Sequence, residues 1–142
     1  MGLLAAIQRV QTLVGAISGI KQAPDYPSNK IEQFPMIIAY PGPGTWDVPF
    51  NGLARNLGQI IIDLHAGPQD KGIREAVQTM LDYFEEVPKA ILDDWNLGGN
   101  VETLVTGEES ALSYDGLMTM KYGSIPTYGL RWRLRYKREE SL

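Results

Sequence analysis

Leu130-Arg131-Trp132-Arg133-Leu134-Arg135-Tyr136-Lys137 alternates apolar and basic side chains without interruption. Successive side chains of a strand point to opposite faces, so Leu130 to Tyr136 is expected to be a strand with one apolar and one cationic face. Upstream, Val101 to Thr106 and Leu117 to Tyr122 predict further strands, separated by Gly107, Gly116, Gly123 and Pro126. Leu57 to Ala66 is the clearest of the earlier β segments. There Ile60, Ile62 and Leu64 share one face and Gln59, Asp63 and His65 the other, with Ile61 the exception.

Working outward from these strands, the pattern becomes helical. Gly67-Pro68-Gln69-Asp70 supplies a turn and a helix start, and Ile73, Val77, Met80, Leu81 and Phe84 set an apolar stripe running to Glu86. Pro88 breaks that helix, and a short one from Pro88 to Asp94 follows, because proline is tolerated at a first helical position. Nearer the N-terminus, Phe34 to Tyr40 reads as a strand that stops at a tight turn, Pro41-Gly42-Pro43-Gly44, with Thr45 to Phe50 a short second strand. Pro24 and Pro27 place a surface loop from about Lys21 to Glu32. Before it, Leu3, Leu4, Ile7, Val10, Leu13, Val14 and Ile17 recur at steps of three and four, one stripe of an amphipathic helix docked on the domain or on a neighbouring subunit. The expected fold is α+β: a mostly antiparallel or mixed β-sheet flanked by an N-terminal helix and one or two central helices. At 142 residues it is read as a single domain, 1–142.

Composition excludes several classes. The hydrophobic fraction of 44% and the charged fraction of 21% are those of an ordinary globular chain, neither disordered nor membranous. Gln8, Arg9, Gln11 and Thr12 interrupt the apolar N-terminal stretch well short of a membrane span, and no basic region precedes it as in a signal peptide. With no cysteine there is no disulfide framework, thiolate nucleophile or cysteine-held metal, and a reducing cytoplasm is the expected place of synthesis.

Catalytic signatures are missing. His65 is the only histidine and has no second histidine for an ordinary metal site; with Asp63 and Arg55 it forms the least poor set for an atypical hydrolase or transferase. No serine sits in a Gly-x-Ser-x-Gly elbow, and the Pro41 to Gly44 segment lacks the lysine of a phosphate loop. Carboxylates cluster at Asp82, Glu85, Glu86, Asp93 and Asp94, and again at Glu102, Glu108 and Glu109, but no calcium-loop spacing is present and a solvated acidic face is the default. We therefore expect no catalytic, cofactor or metal site, and a chain that is not an enzyme.

Charge is polarised instead. Five of the thirteen basic residues fall between Arg131 and Arg138 with no acid among them, leaving eight bases against seventeen acids elsewhere, a net of −9. Three readings of this ribbon stand side by side: an exposed strand face, a nucleic-acid surface, or half of a subunit interface. A chain with pI near 5.0 is a poor source of phosphate neutralisation, which disfavours simple DNA binding. The interface reading pairs Arg131, Arg133, Arg135 and Lys137 with Asp82, Glu85, Glu86, Asp93 and Asp94 of an identical neighbour, a head-to-tail contact that closes into a ring when the rotation allows. Trp46, in the Pro41 to Phe50 segment, is either a contact to another ring or a cover for the core.

The order of these elements resembles the tail-terminator family of tailed bacteriophages. The resemblance is carried by the N-terminal helix, Phe34-Pro35-Met36-Ile37-Ile38-Ala39-Tyr40 after a proline-bearing loop, Ile60-Ile61-Ile62-Asp63-Leu64, the helix through Ile73, Val77, Leu81 and Phe84, Tyr114-Asp115-Gly116, and the closing strand Leu130 to Tyr136. It spans nearly the whole chain as a pattern, without a diagnostic short motif. It implies a virion protein of the tail or neck, synthesised in the host cytoplasm. It further implies a homo-oligomer, a hexameric ring stacked on the tail tube protein, meeting the head-completion or connector proteins and passing DNA through its lumen without sequence readout. Another head-tail connector or stopper of the neck is the alternative within that class. The family carries no catalytic residues, and its channels are usually acidic, which favours placing Arg131, Arg133 and Arg135 between subunits.

Overall fold

The computed structural model describes residues 2–21, 23, 33–104 and 110–141. Helix α1 (Leu3–Gly15) is followed by strands β1 (Met36–Phe50) and β2 (Leu53–Pro68), helices α2 (Ile73–Tyr83) and α3 (Glu86–Leu92), and strands β3 (Leu112–Tyr122) and β4 (Ile125–Ser141). The strands form one antiparallel sheet in the order β1-β2-β4-β3, so the fold is α+β as the periodicities predict. The helices cover one face. Ala6, Ile7, Val10 and Val14 of α1, Ala76 and Met80 of α2, and Val87 and Ile91 of α3 pack there on Ile37, Ile60, Ile62, Leu64, Leu130, Trp132, Leu134 and Tyr136. No helix among the described residues is long and apolar enough to cross a membrane.

Several boundaries differ from those read in the sequence. Pro41-Gly42-Pro43-Gly44 is not a turn: β1 runs through it to Phe50, with a bulge between Pro41 and Gly44. Because β1 is an edge strand, prolines without N–H donors are accommodated there. Gly44 and Gly58 allow the two backbones to close up, since a Cβ on Gly44 would lie 2.7 Å from the Gly58 Cα. Pro88 does not separate the central helices. It sits in the first turn of α3, where N–H groups have no intrahelical acceptor anyway, and the break falls earlier, after Tyr83. Val101 to Leu104 makes no strand, only a single bridge from Thr103 to Lys137; Val105 and Thr106 lie outside the described residues. The third strand begins at Leu112 rather than Leu117, with a bulge between Asp115 and Met118. Most of the Lys21 to Glu32 loop, and Glu108 and Glu109 of the second acidic cluster, also fall outside the described residues.

Gln11, which interrupts the apolar run of α1, is a core residue at 2% exposure. Its Nε2 donates to the Ile37 carbonyl at 3.3 Å and its Oε1 accepts from the Ala39 N–H. Those two backbone groups lie on the outer side of edge strand β1. One side chain thus takes the place of a further strand and blocks part of the edge from pairing with another chain.

Candidate functional site

The alternation in β4 places Arg131, Arg133 and Arg135 on the sheet face away from the helices. Cross-strand register then decides their partners. Asp63 of β2 and Asp115 of β3 both stand directly opposite Arg131. Arg131 grips Asp63 through two bonds, Nε to Oδ1 at 2.7 Å and Nη2 to Oδ2 at 3.0 Å. The Tyr40 hydroxyl donates to Asp63 Oδ2 at 2.7 Å and accepts from Arg131 Nη2 at 3.1 Å. Burial, then the Asp63 carboxylate, push the Tyr40 phenol well above its usual range, and the same carboxylate holds Arg131 more firmly protonated. Arg133 bonds Asp115 at 3.1 Å, and Arg135 bonds the Ser110 carbonyl and the Ser113 hydroxyl at 3.2 and 3.3 Å. Lys137 lies 3.6 Å from Glu102 and 3.5 Å from Glu139.

Each member of the ribbon therefore has an acceptor inside its own chain. The ribbon is not an uncompensated cationic strip, as the run of bases without acids suggested. The acids come from β2, β3 and the Glu102 segment, brought alongside by the fold, and from Glu139 of β4 itself. Apart from the Asp63 pair these contacts are partly exposed and contribute little each, roughly 0–1 kcal/mol.

The acidic cluster lies in the other layer. Asp82 is in α2, Glu86 in α3, Glu85 between them and Asp93 just beyond α3; all four are exposed and have no ion-pair partner among the described residues. Asp94 differs. It pairs with Arg9 of α1 at 2.7 Å and accepts from the Gly98 N–H at 3.0 Å; these bonds outweigh its desolvation and hold its carboxyl below the usual range. Ribbon and cluster thus occupy opposite sides of the sheet and do not meet within one copy.

The least poor catalytic set does not converge. His65 is buried, with Nδ1 2.8 Å from the Thr127 hydroxyl and its ring edge-on to Tyr122. Burial lowers its pKa, partly countered by Asp63. Asp63 has both oxygens engaged by Arg131 and Tyr40. Arg55 is eight positions away along β2, roughly 26 Å at the rise of a strand, and is bound to Asp47 at 2.7 and 3.1 Å. A depression of about 550 Å³ on this face is lined by Ile38, Tyr40, Asp63, His65, Met118 and Tyr122 among others. No group of three or more potential metal ligands occurs among the described residues.

The other prominent feature is an arm. Beyond the helix layer β1 and β2 continue together to Phe50 and Leu53, joined at Gly52, with the end of β4 alongside to Ser141. Gly52 has φ +81°, a left-handed conformation that glycine adopts without strain. Trp46, Val48 and Phe50 on this arm are 56, 60 and 71% exposed. Trp46 therefore does not cover the core. The Arg138 guanidinium stacks 5.2 Å from its ring centroid, and Arg138 is held in turn by Asn56 and Glu140. Periodicity along the chain points to Trp46 but not to Val48 or Phe50, since only the missing helix layer exposes them; nor does it place Tyr40, Asp115 and Thr127 on the charged face, where cross-strand register brings them.

Compared with protein-family models and with curated proteins, the chain matches none.

Proposed function

We propose that this chain is a non-enzymatic structural protein of a tailed-bacteriophage virion, a tail terminator that forms a hexameric ring on the tail tube and joins tail to head at the neck. The observation that carries the reading is the arm: a three-stranded extension on which Trp46, Val48 and Phe50 are exposed together, a grouping of apolar side chains that marks an interaction surface. Placement of charge supports it. Basic ribbon and acidic cluster lie on opposite sides of the sheet, so a contact between them is one between copies, and the element order agrees with the family resemblance. DNA passes through the lumen without sequence readout, and the ring meets the tail tube protein on one side and head-completion proteins on the other. Of the two expectations for Trp46, a contact to an adjoining ring and a cover for the core, its exposure favours a contact. The edge position of the arm favours a neighbour in the same ring.

Electron microscopy of overlong or unterminated tails incubated with the purified protein tests this. A ring capping one tail end, with restored joining to filled heads, is the expected result. Binding to heads alone would replace the terminator by a connector or stopper, and binding to neither would sink the neck assignment.

A further inference from the structure

We infer that the arm of one copy docks Val48 and Phe50 into a groove between α3 and β3 of a second copy. The groove has a volume of about 340 Å³ and is lined by Phe84, Pro88, Leu92, Leu112, Tyr114 and Trp132, with Glu85 and Lys89 completing it. An apolar cavity of roughly 150 Å³ already accommodates a benzene ring, so a phenyl side chain fits with room for a second, smaller group. Trp132 is fully buried and forms the floor of the groove, so an occupant meets its indole ring rather than solvent. Phe84 and Tyr114 stand edge-to-face at 4.8 Å, and Leu92 and Tyr114 are 44 and 57% exposed, so the walls present apolar surface outward.

The choice of a second copy as the occupant comes from strand order. The arm belongs to β1, one edge of the sheet, and the groove to β3, the opposite edge. Each copy thus carries one projecting apolar element and one receiving apolar element, not in contact with each other within the chain. Joining the two is a heterologous contact: every copy gives at one edge and receives at the other, and repetition closes a ring when the rotation allows. This deepens the ring reading by naming its subunit contact.

Sedimentation of the full chain tests it through two exposed-surface variants. The arm variant carries Val48→Asp and Phe50→Asp; the groove variant carries Leu92→Asp. Each alone should weaken self-association by about 30-fold or more, the loss typical of a hot-spot residue, while thermal unfolding stays close to wild type. Mixed one to one, they should form a dimer and nothing larger, because one intact arm and one intact groove remain. Independently, the chain has no cysteine of its own, so an Asn51→Cys, Lys89→Cys double variant, which keeps Phe50 and Leu92 in place beside two exposed positions, should give an oxidised ladder of linked subunits that dithiothreitol reverses. A wild type that stays monomeric at about 100 μM, a concentration far above the Kd of a well-packed interface, overturns the proposal. So do variants that associate as wild type, a mixture that stays monomeric, or an absent ladder. If rings cap tails while the arm variant still assembles, this contact is wrong and the terminator reading stands. If the ladder forms but tails are not capped, the reverse holds.

Discussion

Replacing Gln11 by methionine isolates the edge-blocking role of one side chain. Methionine has a similar reach and suits the buried site, but offers neither a strong donor nor a strong acceptor. The Ile37 carbonyl and the Ala39 N–H would then face the underside of α1 unpaired. An unsatisfied buried polar group costs about 1–3 kcal/mol, and the gain from a more apolar side chain offsets part of the pair, giving a net loss of about 2–4 kcal/mol. At about 2.1 cal/mol/K of unfolding entropy per residue, 142 residues correspond to about 0.3 kcal/mol/K. The midpoint should therefore drop by about 7–13 °C in a calorimetric scan, and the Ala39 amide should lose hydrogen-exchange protection ahead of its neighbours. A shift below about 2 °C with Ala39 still protected would refute the reasoning, because that is the response of a solvated surface glutamine.

Other perturbations separate the charged face from the core. Asp63→Ala removes the acceptor shared by Arg131 and Tyr40, and should cost about 2–4 kcal/mol in urea unfolding, below the fully buried case because the Arg131 side chain keeps 25% of its exposure. His65 has a folded-state pKa below its unfolded value of 6.5, so the unfolded chain binds more protons as pH falls through that value, and stability decreases on acidification. His65→Gln should flatten the difference in unfolding free energy between about pH 7.5 and pH 5; an unchanged slope would assign that dependence to other groups. Reversing Arg133 and Arg135 to Glu should weaken ring assembly most at low salt, where opposite-face charges are least screened, and assembly indifferent to both reversal and salt would remove charge from the subunit contact.

Much of the scaffold was legible because period-two and period-3.6 patterns report burial directly. Ile60, Ile62 and Leu64 do face the helices, and Leu130, Trp132, Leu134 and Tyr136 face them with Arg131, Arg133 and Arg135 on the reverse. The misreadings share a cause. Pro41 to Gly44 looks like a turn to any local rule, and only its place at a sheet edge lets two prolines continue a strand. Gln11 looks like a polar interruption until an edge strand needs a donor and an acceptor together. Val101 to Leu104 has strand-like composition but makes only a single bridge with β4, Thr103 to Lys137.

What the sequence by itself determined is what neighbours along the chain can decide: an α+β chain with one apolar and one cationic face on its last strand, and no cysteine chemistry. Tertiary structure alone decided which acids Arg131 and Arg133 meet. Antiparallel register brings Asp63 and Asp115, 68 and 18 positions distant from Arg131 and Arg133 respectively, to within a hydrogen bond of them. It also decided where the helix layer stops. Exposure of Val48 and Phe50 is the consequence of what fails to pack over them, a property that no residue carries in its own side chain.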